Sequence, residues 1–283
     1  MAGDRVVALL GVGVVPSDTP VLRADDLGVL RGDGCFETMH VRGGEPWLLD
    51  EHLARMARSA ARLDIALPPA DALADLAARA CAAWPADREG AVRLVCTRGP
   101  EDGGGPVTVF ATVAPVGEAT VRARRAGIAV RTATLGYPAD LRAAAPWLLG
   151  GAKTLSYAVN MASQRWAASV GADDVLWVST DGYALEAPTS TVVWREGGTL
   201  YTVPAERTGI LAGTTARWLL DHAGSLGFTA AERMVTAAEL ATADGVWFLS
   251  SVRGVAPVRS LDGEATRTDP AETDTLRRFL GYP

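Results

Sequence analysis

Lys153-Thr154-Leu155-Ser156-Tyr157 holds the only lysine in a chain of 283 residues that carries 26 arginines. Arginine and lysine serve about equally well as solvated surface charge, so a chain this biased has little need of lysine at its surface. The two part company where an amine must lose its proton and act as a nucleophile, which a guanidinium does not do. Codon bias also removes lysines. The count therefore singles out Lys153, and the motifs around it decide what it does.

Outward from that stretch, the pattern predicts Lys153 at the mouth of a helix over 153–169. Strands over 175–179 and 190–195 read as a hairpin around Asp181-Gly182. Gly209-Ile210-Leu211-Ala212-Gly213-Thr214-Thr215 reads as a glycine loop opening a helix that runs to Ala223. A buried strand over 245–251 follows, then a loop at Arg253-Gly254 and a last helix from Asp269. Upstream, 6–41 reads as short strands and turns that open on a β-hairpin. Leu53, Met56, Ala60 and Leu63 follow helical spacing with Asp50 as N-cap. A second helix over 70–84 stops at Pro85. Strands over 91–97 and 107–114 flank a loop with Gly103-Gly104-Gly105, and a further strand covers 128–134. Strands and helices alternate in both halves, which predicts an α/β (α+β) chain of two domains. The expected division is a smaller N-terminal α/β domain over 1–117 and a larger domain over 118–283 that carries Lys153.

Composition excludes several classes. Apolar residues make up 48% and charged residues 21%, the balance of a globular chain. The formal charge of −6 comes with no basic run, so no nucleic-acid partner is expected. The apolar run 6–15 is too short to span a membrane. Cys35, Cys81 and Cys96 lie far apart, and His40, His52 and His222 share no spacing with them, so neither a disulfide framework nor a metal site is expected. Sparse, odd cysteines suit a reducing cytoplasm. Gly11-x-Gly13 and Gly32-x-Gly34 lack the third glycine of a dinucleotide fingerprint, and Ser250-Ser251 has no nucleophile-elbow setting.

The remaining polar residues suit a phosphorylated pyridine aldehyde used as an electron sink. Lys153 is the one side-chain amine able to bind the aldehyde as a Schiff base. A carboxylate must hold the pyridine nitrogen protonated, and Glu186 in Tyr183-Ala184-Leu185-Glu186 is a candidate. Gly213-Thr214-Thr215 at a helix start offers N–H groups and hydroxyls to the phosphate, with Arg55 as a candidate cation. Each of these also has a bland reading: a turn carboxylate, a helix cap, the polar face of an amphipathic helix.

Taken together, Gly32-Asp33-Gly34-Cys35-Phe36-Glu37-Thr38 and Glu51-His52-Leu53-x-Arg55-Met56-x-x-Ser59-Ala60 resemble the N-terminal domain of class IV aminotransferases. These are the fold-type IV pyridoxal-phosphate enzymes related to D-amino-acid and branched-chain aminotransferases. Lys153-Thr154-Leu155-Ser156-Tyr157, Gly171-Ala172-Asp173-Asp174, Asp181-Gly182-Tyr183-x-x-Glu186, Thr202-Val203-Pro204 and the glycine loop through Arg217 continue the resemblance in order, from about Arg23 to Val258. The resemblance implies pyridoxal 5′-phosphate on Lys153, Glu186 at the pyridine nitrogen, and Arg55, Thr214, Thr215 and Ser251 on the phosphate. It also implies Tyr157 at the ring hydroxyl, and a homodimer. Thr191 departs from the asparagine usual at that position.

Within the family, Gly34-Cys35-Phe36 and Lys-x-Leu-Ser most resemble aminodeoxychorismate lyases, which form 4-aminobenzoate and pyruvate in folate synthesis. The alternative is a transaminase acting on D-amino acids or branched-chain amino acids with 2-oxoglutarate. No Arg-x-His follows Arg98-Gly99, which weakens the D-amino-acid reading, and Phe36-Glu37-Thr38 replaces the Phe-Glu-Gly of branched-chain enzymes. A second arginine-glycine pair frequent in lyases is missing too. Phe36 and Thr38 are expected beside a small amino substrate. Arg253 is the first candidate for its carboxylate and Arg98 the second. A catalytically silent binding protein of the same fold is disfavoured, since it would have no reason to retain Lys153.

Overall fold

A computed structural model of the chain describes residues 5–103 and 105–283, so Gly104 of the expected glycine loop lies outside the described residues. The chain divides into two units. One comprises the residues up to Gly117 together with Ala152–Tyr157, and the other Glu118–Gly151 with Ala158–Pro283.

The first unit is built on an antiparallel sheet of β1 (Val6–Leu9), β2 (Gly13–Val15), β3 (Gly34–Arg42), β4 (Glu45–Pro46), β5 (Gly90–Thr97) and β6 (Thr108–Pro115), in the order β2-β1-β6-β5-β3-β4. Helix α1 (Leu27–Leu30) precedes β3, and α2 (Leu49–Arg62) and α3 (Ala70–Ala82) lie between β4 and β5. Alternation along β3 and β5 turns Cys35, Met39, Val41, Val92 and Leu94 to one face, where they pack with Leu53, Met56 and Ala60 of α2. The expected helix is present, but its cap is not Asp50. Leu48, in the left-handed region at φ 58°, turns the chain, and Asp50 and Glu51 fall in the first turn, where their charge favours the helix dipole.

In the second unit, β7 (Ile128–Thr134), β8 (Asp174–Val178), β9 (Thr191–Glu196), β10 (Thr199–Thr202), β11 (Thr229–Glu232), β12 (Gly245–Ser250), β13 (Gly254–Leu261) and β14 (Glu264–Ala265) form a mixed sheet. Its order is β11-β10-β9-β12-β13-β7-β8, with β14 on β13. The helices are α4 (Glu118–Ala126), α5 (Leu141–Ala144), α6 (Ala158–Ser169), α7 (Ala205–Thr208), α8 (Thr214–Asp221), α9 (Ala237–Thr242) and α10 (Pro270–Phe279). The core gathers Trp194, Phe248, Leu176, Leu185 and Val130. No helix among the described residues is long and apolar enough to cross a membrane.

Two further expectations are corrected. Lys153 does not open a helix: α6 begins at Ala158, and the residues before it run extended along β3. The Phe36 amide donates to the Lys153 carbonyl at 3.1 Å and the Leu155 amide to the Gly34 carbonyl at 2.8 Å. This pairing satisfies the backbone groups of β3 beyond the reach of short β4, so the lysine segment belongs to the first unit and not to the second. Likewise, β9 is not the return arm of a hairpin with β8. Tyr183–Ala187 takes that place: Trp177 and Glu186 pair through main-chain bonds, as do Ser179 and Tyr183, while β9 pairs with β10 and β12.

Candidate active site

In the first unit the lysine segment is held by both ends of its peptide. The Lys153 amide donates to the Ser59 hydroxyl of α2 at 3.0 Å, and its carbonyl accepts from β3. The half-buried side chain lies on two rings, with Nζ 4.4 Å from the Phe36 ring centroid and 3.4 Å from the Tyr157 hydroxyl. Phe36 and Tyr157 meet edge to face at 5.3 Å. An ammonium over ring faces is stabilised, yet the wall is largely apolar. Lys153, Tyr157 and Phe36, three of the residues singled out in the sequence, are thus together.

The same unit holds a charge cluster in which the motif reading gave a role to Arg55 alone. Glu37 is fully buried, its carboxylate bridging Nε and Nη2 of Arg55, both at 2.7 Å, and Nδ1 of His52 at 2.6 Å. Burial by itself would push the Glu37 carboxyl up, but Arg55 and His52 outweigh it and bring it down to about 2. Burial holds the His52 imidazole below its usual range, with Arg55 and Lys153 adding to the effect against Glu37. The spacing carried a signal: Glu37 alternates with Cys35 and Met39 on the core-facing side of β3, and His52 and Arg55 lie one turn apart on α2.

Arg98 is engaged within the first unit. It pairs with Asp33 at 2.6 Å and donates to the carbonyls of Leu63 and Asp64, clamping the end of α2 to the loop before β3. Thr38 stands opposite Arg93 in the β3–β5 register, and Arg93, overlooked in the sequence, is exposed with its guanidinium carbon 5.5 Å from the Phe36 ring centroid.

In the second unit Glu186 is buried beside Arg142, whose Nη1 lies 2.8 Å from one carboxylate oxygen. The Leu211 amide donates to the other at 3.1 Å. Gly213 caps α8, and the first turn of that helix has no acidic residue. Buried there, the Thr214 and Thr215 hydroxyls approach the Ser251 hydroxyl at 3.3 and 3.4 Å. Thr191 supports this turn: a Cβ on Gly213 would fall 2.1 Å from its hydroxyl. Arg253, the expected carboxylate ligand, is instead paired with fully buried Asp174 at 2.6 Å, because a buried carboxylate needs a cation beside it. Among the described residues no group of three or more metal-ligating side chains occurs.

The first unit offers an amine among rings, and the second a buried carboxylate beside an arginine and three hydroxyls at a helix N-terminus, donor types that suit a pyridine carrying a phosphate. The sequence model of amino-transferase class IV matches residues 34–261. The chain belongs to that family. A bifunctional aminodeoxychorismate lyase / D-amino acid transaminase of Mycobacterium tuberculosis is 41% identical over 94% of each chain. Among solved structures, a PLP-bound hypothetical aminotransferase from the same organism superposes with a TM-score of 0.93 at 40% identity, over 97% of each chain. A fold IV transaminase from Curtobacterium pusillum gives 0.91 at 38%, over 98% of this chain and 97% of the other. Class IV enzymes use pyridoxal phosphate.

Glu37→Gln leaves Arg55 with a buried, uncompensated charge and should lower stability at pH 7 by roughly 3 kcal/mol. The folded Glu37 pKa lies below its ordinary 4.5, so its contribution is whole above that value and is lost as pH falls toward 2. Urea denaturation across pH 5 to 2 should therefore show a shallower loss in the variant than in the wild type. Equal slopes would remove Glu37 from the account.

Proposed function

We propose that this pyridoxal-phosphate enzyme is a 4-amino-4-deoxychorismate lyase, forming 4-aminobenzoate and pyruvate for folate synthesis. The observation that carries the reading is the substrate side of Lys153. The lysine stands on Phe36, and beside that ring Arg93 is exposed with no ion-pair partner among the described residues. The lyase substrate is a dianion with an apolar ring edge, which an aromatic wall and an unpaired guanidinium suit. The lyase half of the Mycobacterium tuberculosis relative's name supports the same choice.

The cofactor supplies an electron sink for the carbon next to the substrate amine. On this reading Lys153 would hold the cofactor, and its amine would take the proton from that carbon. Glu186 stands against the ring nitrogen. Thr214, Thr215 and Ser251 hold the phosphate with Arg55, and Tyr157 takes the ring hydroxyl. Phe36 and Thr38 border the substrate, and Arg93 replaces Arg98 and Arg253 as the group for its carboxylate.

The transaminase half of the same relative's name supports a second activity, toward D-amino acids with 2-oxoglutarate, using the same residues. We further propose that two copies associate, since Trp147, Val159, Trp166 and Val170 expose apolar surface in the second unit. Sedimentation should give twice 29.6 kDa. A single chain at assay concentration would refute the pairing.

Purified enzyme given 4-amino-4-deoxychorismate generated in situ should release 4-aminobenzoate and pyruvate in equal amounts. Arg93→Met should raise KM about tenfold or more, the equivalent of one lost charged hydrogen bond. Turnover of D-alanine with 2-oxoglutarate but no 4-aminobenzoate would overturn the lyase reading in favour of the transaminase.

A further inference from the structure

Arg142 lies outside every motif that marks the family, yet its surroundings are specific. Its Nη1 bonds Glu186 at 2.8 Å, and the Tyr137 hydroxyl is a second partner. The backbone of Arg142 is held as closely as its side chain. A Cβ on Gly150 would fall 2.3 Å from the Arg142 carbonyl oxygen, and one on Gly209 2.7 Å from the Arg142 carbonyl carbon and the Ala143 amide. Gly209 sits at φ +66°, and its carbonyl accepts the Gly151 amide at 2.8 Å. Two glycine corners therefore close on one peptide of α5. The first leads into the lysine segment, and the second into Leu211, which donates to the other oxygen of Glu186. Small residues at both corners are explained by this approach of backbone to backbone.

The geometry points to Arg142 as a positioning residue that keeps the Glu186 carboxylate ionised and aimed, so that the proton it shares with the cofactor's ring nitrogen resides on the nitrogen. The inference rests on the proposed placement of Glu186 at that nitrogen. Nearly buried, a carboxylate without a charged partner gains protons readily, and a protonated Glu186 would leave the ring nitrogen neutral and the electron sink weak. A fixed guanidinium and an amide, one on each oxygen, lower the proton affinity of the carboxylate while leaving it able to accept from the ring. Burial disfavours the charge on Arg142, but Glu186 and Tyr137 more than offset it and hold the guanidinium above its ordinary value, so the pair stays ionic. Arginine suits the place because its planar fork reaches a carboxylate and a phenol at once.

The test loads wild type, Arg142→Met, Arg142→Lys and Glu186→Gln with pyridoxal phosphate labelled with 15N at the ring nitrogen. Solid-state 15N spectra then report whether that nitrogen bears a proton. The expected result is a protonated ring in wild type, a neutral ring in Arg142→Met and partial recovery in Arg142→Lys. Along with this, kcat in Arg142→Met should fall roughly 100-fold with KM little changed. A protonated ring in Arg142→Met, with apo-protein melting well below wild type, would make Arg142 merely structural and overturn the proposal. If Glu186→Gln keeps the wild-type resonance, the placement of Glu186 at the ring falls, and the inference falls with it. Should Arg142→Met not fold, Arg142→Lys decides: a resonance identical to wild type overturns the proposal, and a shift toward the neutral position sustains it.

Discussion

Two main-chain hydrogen bonds fix the reactive end of the first unit: Phe36 amide to Lys153 carbonyl, and Leu155 amide to Gly34 carbonyl. They tie the lysine segment to β3 through an isolated antiparallel bridge, so the sheet positions the backbone of Lys153. The Phe36 whose amide makes the bond also supplies the ring beneath Nζ. Gly34 is required for the approach, since a Cβ there would fall 2.6 Å from the Cys96 carbonyl oxygen and from Leu155. One strand pairing thus sets the depth, direction and apolar wall of the amine together.

The electrostatics follow a common plan in both units. Three buried carboxylates are each tied to an arginine, Glu37 to Arg55, Glu186 to Arg142 and Asp174 to Arg253, whereas buried Asp26 accepts from Thr97 and Thr108. Isolated buried ions are costly, and an arginine beside each of those paired carboxylates offsets that cost. The neutral hydroxyls of Thr214, Thr215 and Ser251 stand at a helix N-terminus whose first turn has no acidic residue, which favours an incoming anion.

The order of motifs was legible in the sequence and carried the family, the two-part α/β organisation and the lysine. Glycine, proline and helical spacing located most elements to within a residue or two, because those signals are local. What the sequence concealed was partnership. The extended run before α6 looked like a helix start, since the β3 edge that captures it lies more than a hundred residues upstream. The run that ends on Glu186 reads as strand-like, but an arm this short carries no sign of its partner, and β9 offered the longer pattern. Arg98 and Arg253 looked like substrate ligands because nothing in a linear reading shows that Asp33 and Asp174 already hold them. Arg93 and Arg142 were hidden for the converse reason: in a chain with 26 arginines, one more carries no signal until its neighbours are known.

The central claim is that Lys153 carries the cofactor, and a chain with one lysine gives it an unusually clean test. The holoenzyme is reduced with sodium borohydride, which converts a lysine–cofactor imine into a stable secondary amine, then digested and analysed by mass spectrometry. The account predicts a single phosphopyridoxyl adduct, on the peptide containing Lys153, and none in Lys153→Arg. Intact, unmodified Lys153 in a fully loaded enzyme, or the same adduct yield in Lys153→Arg, would contradict it.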